Sequence, residues 1–193
     1  MLFVVGINFG LRVSDLLSLR FCDLLNDDCT FKTELRVFEK KTANTRKRKK
    51  NRYIAINDAA MDAVELYLMH TPGVSLSDYL FRSESNRHGD GKPLDRKSVD
   101  RILKDIAEKC QLHVKMSTHS LRKTFGYHQM VMSNNDPRKL VLLQKMFGHS
   151  SMLETMCYIG ITDEEIADAY RNLNLGGVDY SHSEIAVVPI REA

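Results

Sequence analysis

Three segments, far apart in the chain, carry residues whose types could act together on a phosphate group. In HSLRKTFGYH, His119 and Arg122 are three positions apart at the predicted start of a helix. Residues with this spacing share one helix face, about 5–6 Å apart between Cβ atoms, so both side chains could converge on one small anion. The helix amino terminus adds a positive partial charge there. Taken alone, the pair is more typical of a capped helix with a solvated arginine and a packed histidine.

The second segment is GLRVSDLL, which contains Arg12 and Asp15. Gly10 gives the backbone freedom to turn sharply, so the turn could aim Arg12 inward. The Asp15 carboxylate could then pair with an arginine and fix the direction of its guanidinium group. The alternative is an ordinary surface ion pair, worth less than ~1 kcal/mol.

The third segment is FGHSSMLETMCYIG, in which Tyr158 follows His149 by nine positions. A phenol with its ordinary pKa of about 10 is a poor nucleophile at neutral pH. Clustered arginines would favour the phenolate, and a nearby histidine could accept the proton. The alternative is a half-buried tyrosine that only packs a helix.

A dense group of cations lies in the hairpin formed by two predicted strands and their connecting loop, with eight basic residues and no acid in thirteen positions. In a hairpin, such a group is typical of a finger that follows a phosphate backbone, so we expect contact with nucleic acid. A solvated face or a localisation signal is the alternative. The eight residues are Lys40, Lys41, Arg46, Lys47, Arg48, Lys49, Lys50 and Arg52.

Composition limits the class of protein more than it identifies a partner. The chain has 193 residues, 43% of them hydrophobic and 27% charged, with a net charge of +3, which predicts one ordinary globular domain. Its four cysteines form no CxxC pair, which argues against zinc-ligand spacing and a disulfide scaffold and predicts reduced, buried thiols. No GxxxxGK[ST] motif, leader or membrane-spanning run occurs. We therefore expect a cytoplasmic protein that needs no metal or cofactor.

The elements that must position these segments are mostly helical. The fold class expected is α+β, with a small antiparallel sheet in the amino-terminal part. The predicted elements are a helix over 2–9 ending at Gly10, a helix capped by Ser14, strands over 35–41 and 51–56, helices from Asp58, from about Ser98 to Cys110, from a Thr118 cap, from Pro137 to a stop at Gly148 and around Tyr158, and a last helix opened by Thr162-x-x-Glu165.

Together, in this order and spacing, the motifs resemble the signature of the tyrosine recombinase (phage integrase) family. That signature is an arginine in a GLRxSE-like turn, a lysine in a β-hairpin, an HxLR helix, and LGH followed nine residues later by a tyrosine. The resemblance runs from Gly10 to about Leu175. CYIGIT and EEIADAYRNLNL are similar to the ends of integrases from phages and mobile elements of Gram-positive bacteria.

The resemblance implies a role for each motif residue. Arg12 and Arg122 would hold the scissile phosphate of DNA. His119 and His149 would lie around it, and Tyr158 would attack it. The product would be a 3′-phosphotyrosine and a free 5′-hydroxyl, so that strands could be broken and rejoined without ATP.

Two further roles are implied less directly. Asp15 takes the place of the usual glutamate and would orient the residues that bind the phosphate. Lys41 matches the hairpin lysine that protonates the leaving oxygen, with Lys40 and other cations of the loop as close competitors. Arg52 and the loop cations would bind DNA.

The chain departs from the family pattern in two ways. Phe147 stands where many members have leucine before Gly-His, which we expect to alter packing alone. The helix and the core-binding domain that normally precede the GLRxS turn are also missing. We therefore expect a catalytic domain over 1–175 and a tail over 176–193 that is disordered or docks on a neighbour. Recombination of intact sites by this fragment alone is not expected.

Three other functions compete with a site-specific recombinase. They are a type IB topoisomerase-like enzyme, a DNA-binding module without catalysis, and a basic domain that binds RNA or membranes. The last lacks an aromatic RNP-like motif and a basic amphipathic helix. The partners implied by the resemblance are double-stranded DNA with attachment sites, further copies in a tetramer on DNA, and proteins that bend DNA or set direction. The free chain could be a monomer.

Overall fold

A computed structural model of the chain describes residues 1–38, 51–83, 91–160, 163–173 and 175. The chain divides into two compact units, residues 1–160 and 161–193. The first unit contains α1 (Leu2–Phe9), α2 (Val13–Leu16), α3 (Phe21–Leu24), β1 (Glu34–Phe38), β2 (Asn51–Ala55), α4 (Asp58–His70), α5 (Arg96–Lys109), α6 (Thr118–Val131), α7 (Pro137–Phe147) and α8 (Met152–Ile159). In the second unit, the described element is α9 (Asp163–Asn172). Among the described residues, no helix has the length and apolarity to cross a membrane.

The two strands form an antiparallel pair in which Leu35 lies opposite Ile54 and Val37 opposite Arg52. Leu35 and Val37 are buried, whereas Arg36 between them is exposed, as expected when one face of a sheet covers a core. The predicted mostly helical fold with a small antiparallel sheet is therefore confirmed. The chain between the strands, residues 39–50, lies outside the described residues.

The buried side chains of the first unit form two clusters, and α6 contributes to both. Leu121 belongs to the larger cluster, which the first five helices and the sheet build. Phe125, one helical turn later, packs with Leu143 and Phe147 in the smaller cluster. Helix α6 therefore lies where the two clusters meet, and Arg122 is positioned between them.

Helices α1 and α6 approach each other closely because two glycines face α6. A Cβ atom on Gly6 would lie 2.7 Å from Leu121 Cδ1, and one on Gly10 would overlap the ring of Phe125. Gly10 also ends α1 with a left-handed backbone (φ 56°), which glycine adopts without a steric penalty. The predicted end of the helix at Gly10 is thus correct. The close packing against α6 explains why a glycine is also needed at position 6.

Most predicted helix starts are close to the observed ones, and two need correction. Ser117, not Thr118, is the N-cap of α6, because Ser117 and Ser120 cap each other reciprocally. Arg12, not Ser14, occupies the N-cap position of the four-residue α2, so Ser14 lies inside that helix. Asp136 caps α7 with Pro137 next to it, and Gly148 ends it, both as predicted. Thr162 lies outside the described residues.

The cysteines are also not where composition suggests. All four are free thiols and all are exposed, so the predicted burial is wrong. The statistical preference of free cysteine for the interior is weaker than the requirement that larger apolar side chains fill the inward helix faces. Cys157, for example, precedes Tyr158 in α8, and it is Tyr158 that turns inward.

We expect Gly10→Ala to destabilise the domain far more than Gly73→Ala. Both glycines have positive φ, and a Cβ atom on Gly73 would meet nothing within 4 Å. Gly73→Ala should therefore lower the free energy of unfolding by about 1 kcal/mol, and Gly10→Ala by about 3 kcal/mol, because its methyl group also overlaps a buried ring. Urea denaturation followed by circular dichroism measures both. Equal losses would contradict the packing described for α1 and α6.

Candidate active site

Arg122 is the most constrained residue of the site. Its side chain is buried, at 4% exposure, although it carries a full charge. Nη1 donates a hydrogen bond to the carbonyl of Gly10 (2.7 Å), and Nη2 donates one to the carbonyl of Phe147 (2.9 Å). The guanidinium carbon lies 4.2 Å from the centre of the Phe147 ring. The ends of α1 and α7 therefore hold this guanidinium group in place.

Arg12 reaches the same carbonyl from the other side. Its Nη2 donates to Phe147 O at 2.9 Å, from a position 135 residues away in sequence. That carbonyl is available because α7 ends at Phe147 and the last carbonyls of a helix have no donor within the helix. Two positive charges consequently lie side by side, which makes the location attractive to an anion.

Tyr158 lies beside the arginines on α8 and is half-buried. Its ring contacts those of Phe147, His149 and His119 edge to face, with centroids 5.5, 5.1 and 6.5 Å apart. Burial raises the pKa of the phenol above its ordinary value of 10.0, and the charges of Arg122 and Arg12, with a hydrogen bond to Arg122, offset this only in part. The expected effect of the arginines is present, but burial outweighs it, and the phenol is neutral at pH 7.

His149 is held by a buried hydroxyl group. Its Nδ1 lies 3.1 Å from Oγ1 of Thr155, which is fully buried and itself donates to the carbonyl of Ser151 at 3.2 Å. A hydroxyl group has a single proton, so Nδ1 of the neutral ring must be the donor to Thr155, and Nε2 carries the lone pair. Burial lowers the pKa of His149 below 6.5; the arginines lower it further, and Glu154 opposes this.

His119 and Arg122 both face the same cleft, in agreement with the three-residue spacing. The cleft has a volume of about 590 Å³. Its walls include Arg12, His119, Arg122 and Tyr158, from three separate segments of the chain. His149 joins this group through its contact with the Tyr158 ring. The arrangement could bind a phosphate group against two guanidinium groups and place a phenol next to it.

Comparison with known proteins agrees with this geometry. The sequence profile of the phage integrase family matches residues 1–165. The probable integrase/recombinase YoeC of Bacillus subtilis is 36% identical over 170 residues, which cover 88% of this chain and 81% of that protein. The chain belongs to the phage integrase family. The family predicted from the motifs is therefore confirmed.

Two further matches extend the comparison. The tyrosine recombinase XerC of Halalkalibacterium halodurans is 29% identical over 170 residues, covering 84% of this chain and 50% of that protein. The crystal structure of the XerH site-specific recombinase bound to its difH substrate matches with a TM-score of 0.61 and 18% identity, covering 88% of this chain and 43% of that one. This integrase-family chain thus shares the recombinase fold and spans about half the length of both proteins.

For some predicted site residues of this integrase-family chain, the structure gives a position but does not test the predicted role. Asp15 is buried, at 1% exposure, with the Ser14 hydroxyl 3.4 Å from its carboxylate. Its pairing with an arginine stays a prediction. Arg52 is half-buried on β2, opposite Val37, and its contact with DNA stays a prediction. Lys40, Lys41, Arg46, Lys47, Arg48, Lys49 and Lys50 lie outside the described residues.

Several residues of the cleft wall are not among the predicted site residues. Ser14, Ser18, Tyr79, Arg96 and Thr118 all line it. Arg96 is the first residue of α5 and keeps more than half of its side chain exposed, so it adds a third cation to the cleft. The sequence contained one signal for it, since Asp95 caps α5 and places the following basic residues at the start of that helix.

We expect His149 to titrate below pH 6.5, with a response to two nearby charges of opposite sign. Glu154→Gln removes a negative charge that favours the imidazolium, so the pKa of His149 should fall further. Arg12→Gln removes a positive charge that disfavours it, so the pKa should rise. Imidazole carbon and proton shifts in an NMR pH titration, assigned with His149→Gln, measure both. Shifts in the reverse directions would contradict the described electrostatics.

Proposed function

We propose that this chain is the strand-cleaving domain of a site-specific DNA recombinase, or integrase, that works through a covalent bond between Tyr158 and DNA. One observation carries this proposal. Arg12 and Arg122 converge on a single carbonyl oxygen beside the Tyr158 ring, so two guanidinium groups and a phenol share one cleft. A phosphodiester is the anion of DNA that such a group of side chains fits.

In the proposed reaction, the Tyr158 oxygen attacks the scissile phosphorus, and the bond from phosphorus to the 5′-oxygen breaks. The products are a 3′-phosphotyrosine and a free 5′-hydroxyl. Negative charge builds up on the non-bridging oxygens in the transition state, and the forks of Arg12 and Arg122 stabilise it there. Arg122 is already fixed by the carbonyls of Gly10 and Phe147, and Arg12 by that of Phe147, so little reorganisation is needed during the step.

Two proton transfers accompany the attack. The phenol is neutral at pH 7, so its proton must leave as the bond to phosphorus forms, and His119 is the proposed acceptor. Lys41 is proposed to protonate the 5′-oxygen that leaves, with Lys40 as its nearest competitor. His149 donates to a phosphate oxygen from Nε2 in its protonated form, which the charge of the phosphate favours.

The phosphotyrosine preserves the energy of the cleaved bond. Attack by a 5′-hydroxyl from a second strand releases Tyr158 and seals a new junction, so exchange needs no ATP. Asp15, which is buried in the helix that Arg12 begins, is proposed to orient the phosphate-binding side chains.

The named relatives support recombination over the other functions considered. YoeC is described as a probable integrase/recombinase and XerC as a tyrosine recombinase. XerH has been crystallised with its difH substrate after cleavage, which supports DNA as the partner. A role as a non-catalytic DNA-binding module or as a topoisomerase-like enzyme would not be expected from these names. We also propose a cytoplasmic location, where the DNA of a bacterium, phage or mobile element is found.

We propose that the chain works as a tetramer on DNA. Apolar side chains that would suit an interface are exposed on both units. Leu142 and Leu153 are at least half exposed on α7 and α8. Ile166 and Tyr170, four residues apart on α9, are similarly exposed and share one helix face. The proposed occupant of the α7 and α8 surface is α9 of a neighbouring copy.

The domain boundaries are also a proposal. The family profile ends at residue 165, which supports a catalytic domain that includes α8 and the start of α9. We propose that this domain extends to about residue 175 and that residues 176–193 form a tail which contacts a neighbour.

The first prediction of this proposal is a covalent adduct between the chain and DNA. A pool of nicked duplexes with randomised arms serves as substrate, because a nick lets the cleaved end diffuse away and traps the adduct. A denaturing gel should show DNA bound to wild-type protein, and Tyr158→Phe should abolish that band. Sequencing of the trapped DNA identifies the preferred site.

The matched variants test the two arginines. Arg12→Ala and Arg122→Ala should lower the rate of adduct formation by about 100-fold or more, with DNA affinity mostly retained. Arg12→Lys keeps the positive charge and loses the paired guanidinium donors, so adduct formation should also be slow. This result would separate hydrogen bonding to the transition state from simple electrostatic attraction of the phosphate. If wild-type protein bound the pool and formed no adduct, the non-catalytic alternative would replace the proposal.

The basic loop should contribute affinity that depends on salt. Replacing Arg46, Lys47, Arg48, Lys49 and Lys50 by glutamate should weaken DNA binding and make its salt dependence shallower, because fewer counterions are released. Fluorescence anisotropy measures the slope of log affinity against log salt concentration. Between about 50 and 200 mM salt, six or more phosphate contacts change the affinity about 1000-fold, so the slope is well defined in this range. Reversal of the exposed Lys104 and Lys109 on α5 is the control. An unchanged slope in the loop variant would remove the loop from the DNA interface.

A further inference from the structure

We propose that Phe147 is a positioning residue for strand cleavage, whose aromatic ring sets the relative placement of Arg122 and Tyr158. This inference rests on the proposed function. Phe147 is the last residue of α7 and is fully buried. Its ring contacts three of the predicted catalytic side chains, so its role goes beyond the change in packing expected from the sequence.

The contact with Arg122 has a preferred electrostatic geometry. The guanidinium carbon lies over the ring face, 4.2 Å from its centre. The face of an aromatic ring carries partial negative charge, so it attracts a cation placed there. The carbonyl of Phe147 accepts Nη2 of the same arginine, so backbone and side chain of one residue hold one guanidinium group from two directions.

The contact with Tyr158 has a preferred orientation as well. The two rings meet at 71° with centroids 5.5 Å apart, which is an edge-to-face arrangement. His149 packs against the same ring with centroids 5.3 Å apart. A leucine side chain could fill part of the space, but it has no aromatic face with partial negative charge and no aromatic edge. Phe147 therefore links the phosphate-binding arginine to the nucleophile through directional contacts.

The surroundings of the ring keep it in one orientation. Phe125 packs against it with centroids 6.1 Å apart. Gly126 of α6 also faces the ring, because a Cβ atom at this position would lie 3.1 Å from the Phe147 ring and 3.0 Å from Ile159. Glycine at 126 thus leaves the space that the ring occupies. A methyl group there would displace the ring by a few tenths of an ångström.

The decisive experiment changes the partial negative charge on the ring face while keeping the shape of the ring. Fluorinated phenylalanines with one, two and three fluorine atoms are incorporated at position 147. Each fluorine reduces the negative charge of the ring face and leaves its size nearly unchanged. The single-turnover rate of adduct formation, at saturating protein on the trapped DNA sequence, should fall stepwise with fluorine number, to about tenfold below wild type for three. DNA affinity and thermal midpoint should stay constant.

Two ordinary substitutions support this series. Phe147→Leu should slow adduct formation by about tenfold while DNA affinity changes little, since the arginines keep their carbonyl acceptor. Gly126→Ala keeps phenylalanine at position 147 but would displace its ring, so it should slow the same step. Should Phe147→Leu fail to fold, the fluorinated series still decides the question.

The outcomes separate this inference from the proposed function. Equal rates across the fluorinated series, with a normal adduct in wild type, would overturn the role of the ring and leave Tyr158 as the nucleophile. Absence of an adduct in wild type would instead overturn the proposed function. A rate that fell only together with DNA affinity or thermal midpoint would show a structural role and also reject the inference.

Discussion

The geometry of the site depends on the carbonyl oxygen of Phe147, which accepts hydrogen bonds from Arg12 and Arg122 together. Two guanidinium groups repel each other, and a shared acceptor is needed to keep them adjacent. The carboxyl end of α7 suits this because its last carbonyls lack donors and carry the negative end of the helix dipole. Gly148 then turns the chain in a left-handed conformation, so that His149 packs against the Phe147 ring.

Helix α6 connects this end of α7 to the rest of the domain. Its close approach to α1, possible because Gly6 and Gly10 have no side chains, brings the Gly10 carbonyl to within 2.7 Å of Nη1 of Arg122. The same turn that presents its carbonyl to Arg122 also leads directly into Arg12. One tight helix contact thus determines the position of both arginines, although they lie 110 residues apart in the sequence.

The family motifs predicted that Arg12, Arg122 and Tyr158 meet, but not how they are held. The three-residue spacing of His119 and Arg122, the Gly10 stop and the Gly148 stop are local features, and the structure agrees with each. The role of the Phe147 carbonyl depends on where a helix ends in space, which spacing does not report. The raised pKa of Tyr158 was also missed, because burial depends on the tertiary packing of α8. Arg96 also lines the cleft although it is far in sequence from Arg12, so spacing within a motif could not predict it.

The division of the buried residues into two clusters has a consequence for how the chemistry is controlled. The smaller cluster has three buried members among the described residues, Phe125, Leu143 and Phe147, against nineteen in the larger one. Regions with few buried apolar contacts are the ones that open locally without global unfolding, so we expect α7 and α8 to open before the rest of the first unit. An opening there would separate Tyr158 and His149 from Arg122 and would remove the acceptor that Arg12 and Arg122 share. Under the proposed function, a substitution that loosens this cluster would therefore lower the activity of the whole site and not that of one residue alone.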